Sequence, residues 1–415
     1  MKPMGPIPAD YGDRDGALLI GGRTADALIA EAGDTPLFVY DMAVVRNRIA
    51  RFRTAFPSVA LHYAVKANPF APLVRAIAPL VDGIDVASAG EGELAIGAGM
   101  DADRISFAGP GKRDREIETA IRAGVTINLE SEGEAERALA IAVRLARTPH
   151  LAVRVNPDFE LRGSGMKMGG GAKPFGVDAD RAAALVKRIA GAGAHYRGLH
   201  IFAGSQALDA DAIVTAQASA IALADRLSNE AGFAPPLVNL GGGFGIPYFP
   251  GDAPLDVDFV GKALNQSLAI RPSSLAQSQF AIELGRWLVG EAGVYLTRIV
   301  DRKFSHGELF LVTDGGLHHQ LAASGNFGTV VRRNYPVALT HRFRAEPEEV
   351  ATVVGCLCTP LDQLAQKVAL PAAGVGDVIA VFLAGAYGAS ASPQAFLGHP
   401  PPLEMLVEGD TITQA

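Results

Sequence analysis

The sequence predicts an α/β protein made of a (β/α)8 TIM-type barrel followed by a C-terminal β domain. The barrel is predicted because eight short apolar runs alternate with alanine-rich segments of helical spacing between residues 61 and 284. The β domain is predicted because short β-type runs without convincing helices follow Arg286. The predicted boundaries are 36–286 for the barrel and 287–415 for the β domain, which residues 1–35 are expected to join.

The predicted barrel strands are eight short runs rich in apolar residues. In chain order they are Leu61–Val65, Ile84–Ala87, Ile105–Ala108, Thr126–Leu129, Leu151–Val155, Gly198–Phe202, Leu237–Leu240 and Phe280–Leu284. The segments between them, such as Arg181–Ala190 and Ala212–Leu227, have apolar residues at helical spacing. A doubly wound open sheet has the same alternation and is the alternative on pattern alone.

The C-terminal pattern is typical of a mostly antiparallel sheet. Its predicted strands are Val294–Val300, Leu309–Thr313, Thr352–Cys356, Val378–Leu383 and Leu403–Val407. Residues 1–35 fit neither pattern, and we expect them to add a strand to this sheet. The glycine-rich segment 163–176 follows the fifth barrel strand and is interpreted either as a lid over a site or as an inert surface loop.

Composition and charge exclude several functions. Charged residues make up 20% of the 415 residues and the net charge is −7, which argues against a nucleic-acid partner because phosphate binding needs a basic face. No apolar run approaches the ~18 residues of a membrane helix, and no signal peptide is visible. Cys356 and Cys358 are separated by one residue and are not expected to bridge each other. The expectation is a soluble, cytoplasmic protein without a membrane partner.

Polar residues collect at the ends of the predicted barrel strands, where the active site of such a barrel lies. Lys66 directly follows the first strand, and a desolvated amine at that position would be a nucleophile. A solvated lysine just past the strand is the alternative. Glu283 lies in the eighth strand and needs a partner, either a protonated pyridine nitrogen or a salt bridge to a residue such as Arg154.

Two glycine-rich turns follow the last two predicted strands. Gly241, Gly242 and Gly243 follow the seventh strand, and Gly285 with Arg286 follows the eighth. Barrels commonly bind phosphate at these loops through bare backbone N–H groups. Simple tight turns are the alternative, but two such loops at these strands together favour a phosphate site.

Seven segments, taken in order, resemble the fold-type III pyridoxal 5'-phosphate (PLP) decarboxylases, the family of diaminopimelate and ornithine decarboxylases with an alanine-racemase-like barrel. They are LHYAVKAN (61–68), IDVASAGE (84–91), GLHIFAGSQ (198–206), LVNLGGGFG (237–245), ELGR (283–286), CTPLD (358–362) and GAYG (385–388). They span nearly the whole chain, and it is their combination that is specific.

The resemblance implies a carboxy-lyase with PLP as its cofactor and no metal. The residues implied to contact the cofactor are Lys66, His200, Phe202, Ser205, Gly241, Gly242, Gly243, Glu283, Gly285, Arg286 and Tyr387. Those implied to contact the substrate are Arg286, Thr359, Asp362 and Tyr387. Lys66 would hold the cofactor as a Schiff base, and Cys358 would donate a proton to the substrate α-carbon. Cys358 and Asp362 would act in the other subunit's site of a homodimer; without the motif, Cys358 would be interpreted as a small hydrophobe.

The sequence departs from the family pattern at three places. Phe202 stands where the family has the histidine that stacks on the pyridine ring, so either Phe202 or His200 covers the ring. Thr359 replaces the glutamate that contacts the distal amino group of diaminopimelate. The segment 315–328 replaces an arginine- and tyrosine-bearing stretch.

These departures resemble a narrower group, the exosortase A system-associated decarboxylases and the glutamyl carrier-protein decarboxylase of butirosin-type biosynthesis. A small-molecule or carrier-linked amino acid is therefore the expected substrate, and positive charge at Arg162, Lys167 and Lys173 in the predicted lid favours an acidic one. Three alternatives stay open: a diaminopimelate decarboxylase, an amino-acid racemase on the same scaffold, and a non-catalytic PLP-holding protein. The carboxylate of Glu283 argues against the racemase, because racemases of this barrel tend to place an arginine there.

Overall fold

The computed structural model describes residues 1–161, 163, 165–326 and 333–414, with only the backbone of 166–167. One compact unit, residues 49–246 and 254–285, contains the predicted parallel barrel. Its strands are Ala60–Ala64, Gly83–Val86, Ile105–Phe107, Thr126–Leu129, His150–Asn156, His195–Ile201, Leu237–Gly242 and Gln279–Leu284. The first strand pairs in parallel with the eighth, which closes the barrel and rejects the open-sheet alternative.

Helices follow the barrel strands, as predicted. Met42–Ala55 precedes the first strand, and the helices after the first seven strands are Ala71–Ile77, Ala89–Gly97, Asp114–Ala123, Glu132–Leu145, Ala179–Gly191, Ala210–Ala231 and Val257–Ala269. Local signals set their ends: the Ser131 hydroxyl accepts a hydrogen bond from the Glu134 amide, and Gly232 ends its helix in the left-handed conformation. Within the described residues, no helix has both the length and the apolar character that crossing a membrane requires.

The second compact unit comprises residues 1–48, 247–253 and 286–415. Its large sheet contains Leu37–Asp41, Gly293–Ser305, Glu308–Thr313, Val337–Leu339, Glu349–Val354, Gln363–Leu370, Val378–Val381, Leu403–Glu408 and Thr411–Gln414. Two helices of this unit are Ala25–Ala32 and Arg286–Val289. The sheet is mostly antiparallel, as predicted, but two of its pairs are parallel: 308–313 with 349–354, and 37–41 with 403–408.

The N-terminal segment differs from the prediction. Its strands Gly12–Arg14, Ala17–Ile20 and Arg23–Thr24 form a separate small sheet, so residues 1–35 add no strand to the large one. The next strand, Leu37–Asp41, joins the large sheet although the sequence-based boundary at residue 36 assigned it to the barrel. All five of its residues are buried. A short apolar run shows that a strand is buried but not which sheet it joins.

Candidate active site

Lys66 and Glu283 meet at the rim of the barrel. Lys66 lies in a single 3-10 turn, Val65–Ala67, that follows the first strand, and Glu283 lies in the neighbouring eighth strand. Lys66 Nζ is 3.3 Å from Glu283 Oε1. The Glu283 side chain is only 5% exposed, whereas that of Lys66 is 42% exposed. The lysine is therefore accessible rather than desolvated, which differs from the expectation of a buried amine.

His200 and Phe202 occupy different positions around this pair. His200 Nε2 is 3.0 Å from Glu283 Oε2, while the face of the Phe202 ring lies under Lys66 Nζ, 5.2 Å from the ring centroid. Burial raises the pKa of Glu283, but the Lys66 charge and the His200 hydrogen bond outweigh burial and hold it well below the usual range. The carboxylate is therefore ionised, and a flat aromatic surface lies beside the lysine.

A polar cradle lies at the ends of the sixth and seventh strands. The buried Ser205 hydroxyl has no hydrogen-bond partner among the described residues. Gly243 has φ +79°, and a Cβ there would lie 2.2 Å from the Gly204 carbonyl oxygen; a Cβ on Gly242 would lie 1.9 Å from that of Glu283. Only glycine lets these backbones approach so closely. An unpartnered hydroxyl beside a glycine turn is suited to bind an anion such as phosphate.

The segment that was interpreted as a lid or a surface loop is hydrogen-bonded to this cradle. Its residues 166–167 pair antiparallel with 204–205, and the Met168 amide donates to the Ala203 carbonyl. Its far end is held at Gly176, whose amide donates to Glu130 Oε2. Of the three positively charged residues predicted in this segment, the structure describes the side chain of Lys173. Arg162 and the Lys167 side chain lie outside the described part of the structure.

The sequence analysis did not predict the contacts of three further residues at the rim, which are Arg154, Glu130 and Glu91. Arg154 binds Glu130 (2.7 Å), so the salt bridge considered for Glu283 is made with another carboxylate. Glu91 is close enough for the Lys66 charge to oppose the burial that raises the pKa of Glu91. Its signal in the sequence is the Ser-x-x-Glu spacing at the start of helix 89–97, where the Glu91 amide donates to the Ser88 hydroxyl. The Glu91 carboxylate accepts from the Ala87 amide.

In the β unit, Arg286 and Tyr387 are brought together. The Arg286 guanidinium lies 4.6 Å from the centre of the Tyr387 ring, and its Nη1 donates to the Tyr248 hydroxyl (2.8 Å). Tyr248 was not recognised from the sequence. Tyr387 has a φ of 54°, an uncommon backbone conformation for a bulky residue, which its surroundings must stabilise.

The segment 355–362 carries the other predicted residues of this unit. Cys358 is exposed, Thr359 is partly exposed, and both cysteines are free. Asp362 is buried, and its two carboxylate oxygens accept from the Leu317 and Leu357 amides (2.6 and 2.9 Å). In this chain, Asp362 therefore joins two loops, and its role as a substrate contact stays a prediction, as do those of Cys358 and Thr359.

Comparison with known proteins shows to which family this chain belongs. Residues 42–290 match the family described as pyridoxal-dependent decarboxylase, pyridoxal binding domain. The L-glutamyl-[BtrI acyl-carrier protein] decarboxylase of Niallia circulans is 36% identical, over 90% of this chain and 89% of that protein. The diaminopimelate decarboxylase of Archaeoglobus fulgidus is 34% identical, over 96% and 94%. A crystal structure of diaminopimelate decarboxylase from M. jannaschii superposes with a TM-score of 0.88 at 25% identity and covers 97% of this chain and 94% of that one.

The residues at the barrel rim fit the cofactor of this family. The accessible lysine, the ionised carboxylate and the buried hydroxyl in a glycine cradle match the aldehyde, the pyridine nitrogen and the phosphate of pyridoxal 5'-phosphate in chemical type. The matched regions extend over both units. The chain belongs to the pyridoxal-dependent decarboxylase family, and it is a PLP-dependent carboxy-lyase that acts on an amino acid or an amino-acid derivative.

Proposed function

We propose that Lys66 binds the cofactor covalently and that Glu283 pairs with its pyridine nitrogen. When bound, PLP supplies an electron sink for the electrons that remain when the carboxylate leaves as carbon dioxide. Glu283 is suited to the proposed pairing because Lys66 and His200 keep its carboxylate ionised. The hydrogen bond from His200 fixes the orientation of that carboxylate, so we assign His200 to positioning.

Phe202 is assigned to cover the cofactor ring in place of the family histidine. Support comes from its ring face, which lies beside Lys66 Nζ, whereas the His200 imidazole is engaged with Glu283. Ser205, Gly241, Gly242, Gly243 and Gly285 are assigned to the phosphate. Arg286 and Tyr387 are assigned to phosphate or substrate, and their stacking in the β unit supports a joint role.

The substrate that the site supports best is a carrier-linked amino acid of the glutamyl type, the class named for the similar protein of Niallia circulans. The observation that carries this proposal is the segment 315–326, which contains neither arginine, lysine nor tyrosine. The buried polar residues of this segment include no carboxylate, arginine or lysine: they are His318, His319, Gln320 and Ser324. Thr359 likewise offers a hydroxyl in place of a carboxylate. A site that bound the distal ammonium and carboxylate of diaminopimelate would need charged partners, since unpaired polar groups are costly.

The proposal is tested by measuring carbon dioxide release from a glutamyl-carrier protein, free glutamate and free meso-diaminopimelate. We expect turnover of the carrier-linked substrate, and a kcat/KM for free diaminopimelate below ~10⁴ M⁻¹s⁻¹, the lower edge of ordinary enzymes. A value at or above that level would identify a diaminopimelate decarboxylase instead. Thr359→Glu is the informative variant, because it should not improve the carrier-linked reaction but should improve any residual diaminopimelate turnover.

We propose further that the active enzyme is a cytoplasmic homodimer with shared sites. The exposed Cys358 supports a site shared between subunits, and the free state of both cysteines supports a cytoplasmic location. A Lys66→Ala chain mixed with a Cys358→Ala chain, each inactive alone, should regain activity, because one of the two sites of a mixed dimer would be intact. A mixture that stays inactive after subunit exchange, demonstrated with differently tagged chains, would contradict shared sites.

A further inference from the structure

Three side chains of the β unit form a cluster to which the proposed decarboxylation assigns no contact with the cofactor or the reacting bond. They are His318, Cys356 and His399, and each offers a nitrogen or sulfur atom that lies within 4.8 Å of those of the other two. Cys356 Sγ is 3.8 Å from His399 Nδ1. The cluster is composed of imidazole and thiol groups, which are the ligand types that zinc and related transition metals prefer.

His318 is the unusual member of this cluster. Its side chain is completely buried, and neither of its ring nitrogens has a hydrogen-bond partner among the described residues. Burial lowers the pKa of His318 to about 4, so the ring is neutral and able to donate a lone pair. A buried polar group without a partner is costly and needs an explanation, of which a bound ion is one.

The adjacent His319 shows the opposite behaviour. Its Nε2 donates to the Pro400 carbonyl oxygen (3.0 Å), and its Nδ1 therefore accepts from the Tyr295 hydroxyl (3.0 Å). Both nitrogens of His319 are engaged, so this residue is not a ligand. Its bond to Pro400 holds the residue next to His399, and His319 thus helps to position one member of the cluster.

The fold brings the three loops together. His318 follows strand 308–313 and Cys356 follows strand 349–354, and these two strands pair in parallel, so their carboxyl ends meet at one edge. Asp362 then joins both loops through the Leu317 and Leu357 amides. Gly355 must be glycine here, because a Cβ would lie 2.2 Å from the Asp362 carboxylate. The cluster is therefore positioned by backbone contacts on both sides.

We propose that His318, Cys356 and His399 bind a divalent transition metal, with zinc as the expected ion and an open fourth position for water or another ligand. Zinc sites that keep an exchangeable position typically have three protein ligands, and cysteine and histidine are both common zinc ligands. Zinc bonds of ~2.0–2.3 Å place the ligand atoms ~3.3–3.7 Å apart, so atoms that now lie within 4.8 Å of one another must move closer by up to ~1 Å on binding. Without a metal, burial raises the pKa of the Cys356 thiol to about 11, so metal binding should release its proton.

The test uses the full-length protein loaded with its cofactor. After dialysis against a chelator, the protein is titrated with Zn²⁺ or Co²⁺, and bound metal is measured by mass spectrometry alongside the visible d–d bands of Co²⁺. We expect equimolar binding, a cobalt–thiolate charge-transfer band and a rise in the unfolding temperature that depends on metal concentration. Cys356→Ser should abolish the charge-transfer band. His399→Ala removes a direct ligand, so it should weaken metal binding by more than the ~10–100-fold that is lost when a residue that only supports a ligand is removed.

Matched controls separate a specific site from general metal binding. Cys358→Ser removes the neighbouring thiol and His195→Ala removes an exposed imidazole of the barrel unit, and both variants should bind metal as the parent protein does. The proposal would be overturned if the two controls lost as much metal affinity as the ligand variants do. It would also be overturned if His318→Ala and Cys356→Ser bound metal with the affinity of the parent protein. The folding of each variant is checked by urea denaturation of the metal-free protein, which should match that of the parent.

Discussion

Two lysine–glutamate pairs among the described residues of the barrel unit look equivalent as contacts but differ in exposure. Lys112 and Glu134 are 2.7 Å apart, and both side chains are 1% exposed. Lys112 Nζ also donates to the carbonyl oxygens of Gly109 and Asn128, so its three donors are all used. Lys66 and Glu283 are 3.3 Å apart, and the lysine is 42% exposed. The first amine is enclosed by the protein, whereas the second is accessible to a reactant.

The difference shows what separates a structural lysine from a reactive one. A buried ion pair is costly to form and costly to break, and full hydrogen bonding fixes the amine in place. An accessible amine beside an ionised carboxylate keeps its charge partner and can still reach an incoming carbonyl group. The comparison therefore predicts that substitutions at the first pair change stability and that substitutions at the second change chemistry.

The largest effect is expected for Lys66→Ala. This variant should lose nearly all decarboxylase activity and the visible absorbance of the lysine-bound cofactor, because it removes the amine assigned to bind the cofactor. Its urea unfolding midpoint, measured without cofactor, should fall less than that of Lys112→Met, because the Glu283 carboxylate keeps its hydrogen bond from His200. Lys187→Ala, an exposed lysine on helix 179–191, is the control and should behave as the parent. An intact absorbance band in Lys66→Ala would contradict the assignment.

Lys112→Met should mainly destabilise the fold. It leaves the buried Glu134 carboxylate without its partner, and breaking such a pair typically costs ~3–5 kcal/mol, measurable by urea denaturation. The double variant Lys112→Met/Glu134→Leu should recover much of this loss, because no uncompensated charge remains. If the single variant were as stable as the parent, the two pairs would not differ in the way proposed.

Glu283→Gln should bind the cofactor but react slowly. Removing one preorganised electrostatic contact typically costs ~10²–10³ in rate, which corresponds to ~2.7–4 kcal/mol. Glu134→Gln sharpens the comparison, since it should lower stability while the folded fraction turns over at the parent rate. Steady-state kinetics on both variants decide, and a Glu283→Gln enzyme within a few-fold of the parent would show that this carboxylate is structural.

The smallest effect concerns another pair in the barrel, His62 and Asp85, which are both buried and whose Nδ1 and Oδ2 are 3.0 Å apart. Burial lowers the pKa of His62, but the charge and hydrogen bond of Asp85 outweigh it and the net pKa is raised above 6.5. The raised pKa favours the protonated histidine, so its contribution is complete below pH 6.5 and is lost as the pH rises through the folded-state value.

The stability difference between the parent and His62→Gln should therefore be greatest in mild acid and shrink in alkaline solution, with a maximum of ~1.5–3 kcal/mol for a hydrogen bond to a charged group. Chemical denaturation of both proteins across this pH range measures the difference. A difference that grew with pH would show that the neutral imidazole is the stabilised form.

How far the sequence predicts the site depends on the residue. Lys66, Ser205 and Glu283 were identified because they end or lie in barrel strands, whose positions follow from periodicity alone. Lys112 was missed because its segment, Gly-Lys-Arg-Asp-Arg-Glu, is polar and resembles an exposed loop. Its complete burial results from packing against Asn128 and Glu134, which are distant in sequence.

By itself, the sequence determined the alternation of strands and helices and, through the resemblance of seven segments to a known family, the cofactor class and the residues assigned to hold it. The alternation follows from short-range patterns, whereas the pairing of the first strand with the eighth, which closes the barrel, is a tertiary contact. The tertiary structure decided which carboxylate each cation pairs with, that strand Leu37–Asp41 joins the β sheet, and that His318 lies beside Cys356 and His399. Such contacts join residues far apart in the chain, and a single sequence carries no record of which distant side chains share a buried space.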